Sequence, residues 1–534
     1  MKFSIFKIIF LNLLILSSLF SSTFEEDLKA IDGKNFNEKE NIVTQLANNY
    51  IEDDRLTLVL SKMLDGDLFI KNDDKDVVVL VKKEENSLYT KSLISGNDLE
   101  KLDESGFEKV KTNNKLRSVI KSLLAQINLF SKDVKKRETS AKNILQNVTK
   151  DDETVILKAL EKEKNDEVKE LLLEAKNIIF AKYYTGEKQL EAVRTLGDYI
   201  SSNSLATLKT ISESSDSSLE LKEEANKSIS SIESSRSFYS FIETAFFGLS
   251  QGSVLLLAAI GLAITFGVMK VINMAHGELI MIGAYTTYTI QQLMPNLIEY
   301  SIIIAIPCAF IVSALVGILI ERLVIRHLYG RPLETLLATF GISLILQQVV
   351  RTIFSPLNQE VKTPSWMSGA LEINSALSLT YNRLYIVIFS IIVFLAILYV
   401  MKKTSLGLKV RAVSQNRPIA RAMGIKSSYI DAITFGIGSG IAGVAGVALS
   451  QLTNVGPNLG QAYIVDSFMV VVFGGVGNLW GTLIAAFSLG EINKFIEPVA
   501  GAVLAKVIIL VFIILFIQKK PRGLFPQKGR DVED

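Results

Sequence analysis

Residues 464–498, IVDSFMVVVFGGVGNLWGTLIAAFSLGEINKFIEP, form an apolar run long enough to cross a bilayer, interrupted at its centre by Gly474, Gly475, Gly477 and Asn478. Bilayer hydrocarbon offers no partner for free N–H or C=O groups. An interrupted helix therefore survives at that depth only where protein or a watery cavity satisfies its backbone. Breaks of this kind tend to mark a transport pathway. Glycine also lets membrane helices pack closely, so the pattern has two readings and the flanking chain has to separate them.

The chain is 534 residues long with a net charge of +2, and the charge is unevenly spread. Most acidic and many basic residues precede residue 236, whereas 237–518 is a succession of apolar stretches. A soluble domain joined to a membrane domain follows from that division. All ten prolines lie after Gln292, which leaves the first half without the strongest helix breaker and predicts it to be mostly helical. The single cysteine, Cys308, excludes an intrachain disulfide framework and sits in an apolar stretch as a packing residue.

Residues 1–22, MKFSIFKIIFLNLLILSSLFSS, place Lys2 and Lys7 before a short apolar segment ending in small residues, which reads as a secretory signal peptide. The segment that follows, 23–236, is then an exported domain. It contains no Trp, His, Cys or Pro, so imidazole acid–base chemistry, thiolate nucleophiles and Cys/His metal sites are excluded there. VVVLV at 77–81 sits in a β-like passage, 67–82, and suggests a small mixed subdomain, after which helix follows helix from Lys115. Within 137–232 a self-similarity at an offset of about 51 residues pairs Ala141 and Leu145 with Ala192 and Leu196, and Leu157-Lys158 with Leu208-Lys209. Stacked helical hairpins of roughly 40 to 47 residues make solenoids that bind proteins. Two unrelated amphipathic hairpins would look much the same.

In the second half, 237–530, spanning-length segments are predicted at 245–268, 274–293, 299–320, 334–353, 383–401, 431–451 and 500–518, with the broken segment before the last. The fold class expected is all-α: seven clear spans plus a broken or re-entrant segment, preceded by the exported helical domain. Basic loops mark the cytoplasmic side: Arg322, Arg326 and Arg331, then Lys402 to Lys426, then Lys519 to Arg530. Alternation from an exported N-terminal domain puts all three inside only if 464–498 returns to its starting side, so that segment is expected to be re-entrant or to cross twice. The same alternation places His276 and Glu278 near the cytoplasmic interface. Asn273, Gly277, Leu279 and Ile280 also resemble Asn478, Gly481, Leu483 and Ile484, a weak sign of internal duplication.

Thr404 to Ser427, TSLGLKVRAVSQNRPIARAMGIKS, carries Pro418 where a helix starts, the short run Ile419-Ala420-Arg421-Ala422-Met423, and Gly424 where a helix stops. A small helix presented to the cytoplasm can act as a mechanical contact for a partner, or can be an ordinary basic loop that fixes orientation.

That small helix, the span GIGSGIAGVAGVALSQ (436–451), the broken FGGVGNLWGT (473–482) and INMAHGELIMIGAY (272–285) together resemble the permeases of branched-chain amino acid ABC importers. The strings VDSFMVVVFGGVGNLWGT and ILFIQKKPRGLFPQKGR, with the exported extension, are similar to the urea-transporter (UrtB-type) subgroup. The resemblance implies an inner-membrane permease subunit of an ATP-driven importer, most closely one for urea. A branched-chain amino acid or another small amide is the alternative solute, and a membrane-anchored sensor the remote one. It implies a second homologous permease, two cytoplasmic ATPases and a periplasmic solute-binding protein as partners, with Pro418, Ala420, Arg421, Ala422 and Gly424 in a coupling helix seated on an ATPase. No G-x-x-x-x-G-K-[ST] phosphate loop occurs in the chain, so ATP would be used by partners and the subunit itself would be neither an enzyme nor a cofactor or metal protein. Asn273, Gln451 and Asn478, with Gly474, Gly475 and Gly477, are candidates to line the path. Each polar one could instead bond between helices. His276, Glu278, Asp466 and Glu491 are ionisable groups in or near spans and hence functional suspects.

Overall fold

The computed structural model describes residues 23–50, 54–72, 76–84, 87–92, 102–103 and 106–526. The signal-peptide reading of 1–22 and the basic residues beyond 526 lie outside the described residues. The chain divides near Ser235 into two compact units.

The first unit opens with three helices, α1 (Phe24–Lys29), α2 (Phe36–Asn49) and α3 (Asp54–Asp65). An antiparallel sheet follows, of β1 (Leu68–Lys71), β2 (Val77–Glu84), β3 (Ser87–Ser92), β4 (Leu102–Asp103) and β5 (Phe107–Lys109), in the order β4-β3-β2-β1-β5. The all-α expectation therefore fails here. Val77 and Val79 on β2 face Leu68 and Ile70 of β1 in one core with Leu56, Leu60 and Met63 of α3, because β-branched residues fit a pleated, half-buried surface.

Six helices then share a second core: α4 (Asn114–Asn128), α5 (Val134–Gln146), α6 (Glu153–Lys162), α7 (Asp166–Tyr183), α8 (Glu187–Leu196) and α9 (Ser202–Glu213). Ala141 and Leu145 on α5 and Ala192 and Leu196 on α8 are all buried in it. One ionisable group is buried as well. Glu174 on α7 accepts hydrogen bonds from the hydroxyls of Ser201 and Ser204 through a single oxygen, and burial raises its carboxyl above the ordinary carboxylate range. α10 (Leu219–Met269) begins in the first unit and ends in the second.

The second unit continues with α11 (His276–Leu293), α12 (Ile298–Leu323), α13 (Pro332–Phe354), the hairpin β6 (Ala370–Asn374) and β7 (Leu377–Thr380), and α14 (Tyr381–Lys403). Two short helices, α15 (Ser405–Gln415) and α16 (Arg417–Ala422), precede α17 (Ser427–Ser450), α18 (Leu459–Gly474), α19 (Leu479–Ala500) and α20 (Ala502–Lys519).

α17 is the axis of the bundle. Its glycines let three neighbours approach to backbone contact: Gly438 meets Gly261 of α10, Gly443 meets Gly283 of α11, and Gly443 also meets Ala309 and Ser313 of α12. A side chain at any of these crossings would hold the helices apart. In α10 and α17, 89% of the most apolar stretch is buried inside the chain, against 17% in α14 and α20. The outer helices therefore turn their Leu and Ile faces to lipid or to another subunit.

Among the described residues six helices are long and apolar enough to cross a membrane, rather than the seven expected. The missing one is α11. Its polar residues His276, Glu278, Thr287 and Gln291 are buried against neighbours, and a helix packed inside a bundle does not need a lipid-like composition. The broken segment is two separate helices, α18 and α19, packed together.

Candidate functional site

α10 ends at Met269, Lys270 takes a left-handed backbone with φ 52°, and the chain runs unwound to His276, where α11 starts. The start of α11 lies inside the bundle. His276 packs beside Gly261 of α10, and Glu278 bonds Ser343 and Gln347 near the middle of α13. His276 and Glu278 are each 1% exposed within the subunit.

The polar groups at this break are only partly answered. The Asn273 carbonyl side chain accepts the Ala275 amide at 3.0 Å, and Met274 N–H donates to the Thr339 hydroxyl at 3.1 Å. His276 Nε2 faces the Ala258 carbonyl at 2.9 Å, so in the neutral ring Nε2 donates and Nδ1 is an acceptor. Glu278 Oε1 accepts from Ser343 at 2.9 Å and from Gln347 at 2.7 Å. Three buried atoms are left without a protein partner: Asn273 Nδ2, a donor, and His276 Nδ1 and Glu278 Oε2, both acceptors of N–H groups. Unsatisfied buried polar atoms are costly, and these lie along one short stretch of chain, with His276 turned to α10 and Glu278 to α13.

Sequence reasoning missed the α13 side of this site. Thr335, Thr339, Ser343 and Gln347 recur every fourth residue and are all buried. Four-residue spacing puts them on one helix face, so the signal was a polar stripe in an otherwise apolar span.

The glycine-rich break at 474–478 serves differently. It is a turn at one end of the helix pair rather than an unwinding within a span. Gly475 has φ 102°, a conformation only glycine adopts without strain, and its Cα side is covered by the backbone of Phe525. Leu524 N–H donates to the Phe473 carbonyl at 2.9 Å, Phe525 N–H to the Gly474 carbonyl at 3.2 Å, and Asn478 Nδ2 to the Phe525 carbonyl at 3.2 Å. Asn478 Oδ1 caps α19 by accepting from Trp480 and Gly481 amides. Gly477 touches Gly267 of α10, six residues beyond Gly261 and so roughly 9 Å farther along the helix. Gly474, Gly475, Gly477 and Asn478 are therefore not brought together with Asn273, His276 and Glu278.

Gln451 lies elsewhere again, at the end of α17. Its carbonyl accepts from Asn382 Nδ2 at 3.2 Å, and its side-chain Oε1 is buried without a partner. Asp466 on α18 is paired with Lys506 on α20 at 2.9 Å. Glu491 packs against Gly248, with Oε2 unpartnered.

α16 is short because Asn416 caps its start, accepting the Ile419 amide at 3.0 Å, and Gly424, φ 84°, ends it. Arg417 clamps it to α17 through two bonds to Asp431, 2.6 and 3.1 Å, and stacks over Tyr329. Arg421 donates to Ser427. Ala420 is buried at 3% and faces the bundle, whereas Ile419 and Met423, 61% and 78% exposed, point away from it. Pro418, Ala422 and Gly424 are exposed beside them.

A family model described as the branched-chain amino acid transport system permease component matches residues 244–517. The chain belongs to that family, whose members are transport subunits and not enzymes. It is 30% identical over 301 residues to a high-affinity branched-chain amino acid transport system permease protein, LivH, of Salmonella typhimurium, covering 54% of this chain and 97% of the relative. Against BraD of Pseudomonas aeruginosa, another such permease protein, it is 28% identical over 296 residues, 54% of this chain and 96% of the relative. The ribose import permease protein RbsC of Escherichia coli is 26% identical over 285 residues, 51% of this chain and 84% of the relative. No solved structure matches.

Proposed function

We propose that the chain is the permease half of an ATP-driven importer for branched-chain amino acids. The observation that carries the reading is the family match over 244–517 enclosing a buried break whose leftover atoms are one donor and two acceptors. An α-amino acid brings an ammonium for Glu278 Oε2 and a carboxylate for the Asn273 amide, and Asn273, His276 and Glu278 are the pathway residues this reading assigns.

α18 and α19 form a hairpin that crosses twice and returns the chain to its starting side. With the first unit exported, all three basic segments, and the 474–478 turn beside residues 521–525, then lie in the cytoplasm. The partners are a homologous second permease, two ATPase subunits that consume the ATP, and a periplasmic solute-binding protein. Ile419 and Met423 on α16 are the surface for an ATPase. This subunit has no cofactor of its own.

Urea is a second reading, favoured by the likeness of residues 465–482 and 514–530 to urea permeases. Uptake of labelled leucine and of labelled urea into proteoliposomes holding this chain and its genomic neighbours, with and without internal ATP, separates them. ATP-dependent leucine uptake supports the proposal. Urea uptake indifferent to leucine replaces the solute, and no ATP-dependent flux of either overturns the transport assignment.

A further inference from the structure

The first unit, which the family match leaves uncovered, holds an open cleft of about 1130 Å³ between α4 and α5. Helical spacing puts Asn114, Arg117, Lys121 and Asn128 on one face of α4, and Lys136, Thr139 and Asn143 on one face of α5. The lining carries four cations, Arg117, Lys121, Lys135 and Lys136, and one carboxylate, Asp152. That carboxylate is already engaged, accepting from Gln126 at 2.8 Å and from the Thr149 amide and hydroxyl at 3.0 and 2.7 Å. Arg117 has a neutral partner, the Thr112 hydroxyl. Lys121, Lys135 and Lys136 enter no ion pair among the described residues, although carboxylates are plentiful elsewhere in the unit.

A wall whose one carboxylate is already bonded while cations and amides gather on it is complementary to an anion with a polar backbone. Two helices of 15 and 13 residues offer a track of roughly 20 Å, which about six residues of extended chain would fill. Asn114, Asn128 and Asn143 each supply a donor and an acceptor, the pair that an extended peptide backbone requires. The cleft also exceeds the roughly 300–1,000 Å³ typical of small-molecule pockets. We infer that this cleft binds an extended acidic peptide segment of a partner protein. Arg117, Lys121 and Lys136 take its carboxylates and the asparagines its backbone.

The test uses the full chain in nanodiscs of zwitterionic lipid, with fluorescein-labelled octa-glutamate, octa-glutamine and octa-lysine read by anisotropy. Octa-glutamate binds in a salt-sensitive manner, and the Arg117→Glu/Lys121→Glu/Lys136→Glu variant weakens it by about tenfold or more while gaining octa-lysine. A milder Lys121→Gln/Lys136→Gln variant, at exposed positions, moves octa-glutamate affinity in the same direction without a change in helical content. Unchanged octa-glutamate affinity in both variants would place the binding on another basic segment and overturn the inference. Equal binding of octa-glutamine, or displacement by millimolar inorganic phosphate, would overturn it as well.

Discussion

Two helix breaks in the second unit, 270–276 and 474–478, share a local pattern. Each has an asparagine just ahead of a helix and a glycine a few residues later. Asn273 receives the Ala275 amide much as Asn478 receives those of Trp480 and Gly481. At 474–478, however, the exposed carbonyls and the second end of the Asn amide are met by the Pro521–Phe525 tail. At 270–276 the corresponding Asn273 Nδ2 has no partner, and neither have His276 Nδ1 and Glu278 Oε2. A break becomes a joint when the rest of the chain answers its polar groups, and a candidate site when it does not.

That contrast can be broken by substitution. Gly475→Val forces a branched side chain into a left-handed backbone against Phe525, and should lower stability by about 3 kcal/mol. The thermal midpoint in detergent reads it, and an unchanged midpoint would mean the tail contact is incidental. Glu278→Leu strands the Ser343 and Gln347 donors and should lower that midpoint too, while reducing ATP-driven uptake by roughly 30-fold, the loss of about 2 kcal/mol from one charge-assisted hydrogen bond. Glu278→Gln should recover part of it. If uptake in Glu278→Leu is normal, the leftover atoms at 270–276 have no part in transport.

Asn478→Ala removes a helix cap and a tail contact together and should cost about 1 kcal/mol, with half-saturation for the solute unmoved. A shift in half-saturation would return the turn to the pathway. Ile419→Asp should separate ATP hydrolysis from uptake, because it puts a charge on the face of α16 that points away from the bundle; Ala420→Leu should instead loosen the helix from its seat.

The smallest effect belongs to the first unit, where Glu174 is buried with two hydroxyls and, among the described residues, enters no ion pair. Burial raises its pKa in the fold, so the folded unit holds a proton that the unfolded chain has already lost. Stability therefore falls as pH rises from the ordinary carboxylate value through the raised one. Glu174→Gln should flatten that slope and change stability at neutral pH by under about 1 kcal/mol. Hydrogen exchange of α7 in the full chain, compared across pH, measures it. A slope unchanged by the substitution would show that Glu174 is not its source.

Much of this molecule follows from residue order alone. Apolar runs of spanning length located the outer helices, because lipid leaves no choice of side chain there. Pro418 and Gly424 bounded a short helix, since start and stop signals act within one turn. VVVLV marked a strand in a small mixed subdomain, though its five-stranded partnership could not be read, because strand pairing joins residues far apart in sequence.

The tertiary structure decided what depends on neighbours. It made α11, expected as a clear span, an inner helix with His276, Glu278, Thr287 and Gln291 buried against its neighbours. It turned 474–478 from a presumed gap into a turn latched by residues 521–525, nearly fifty positions away. It also brought Ser343 and Gln347 to Glu278. Whether a buried polar atom is satisfied is settled by whichever side chain arrives from another helix, and no local pattern contains that information.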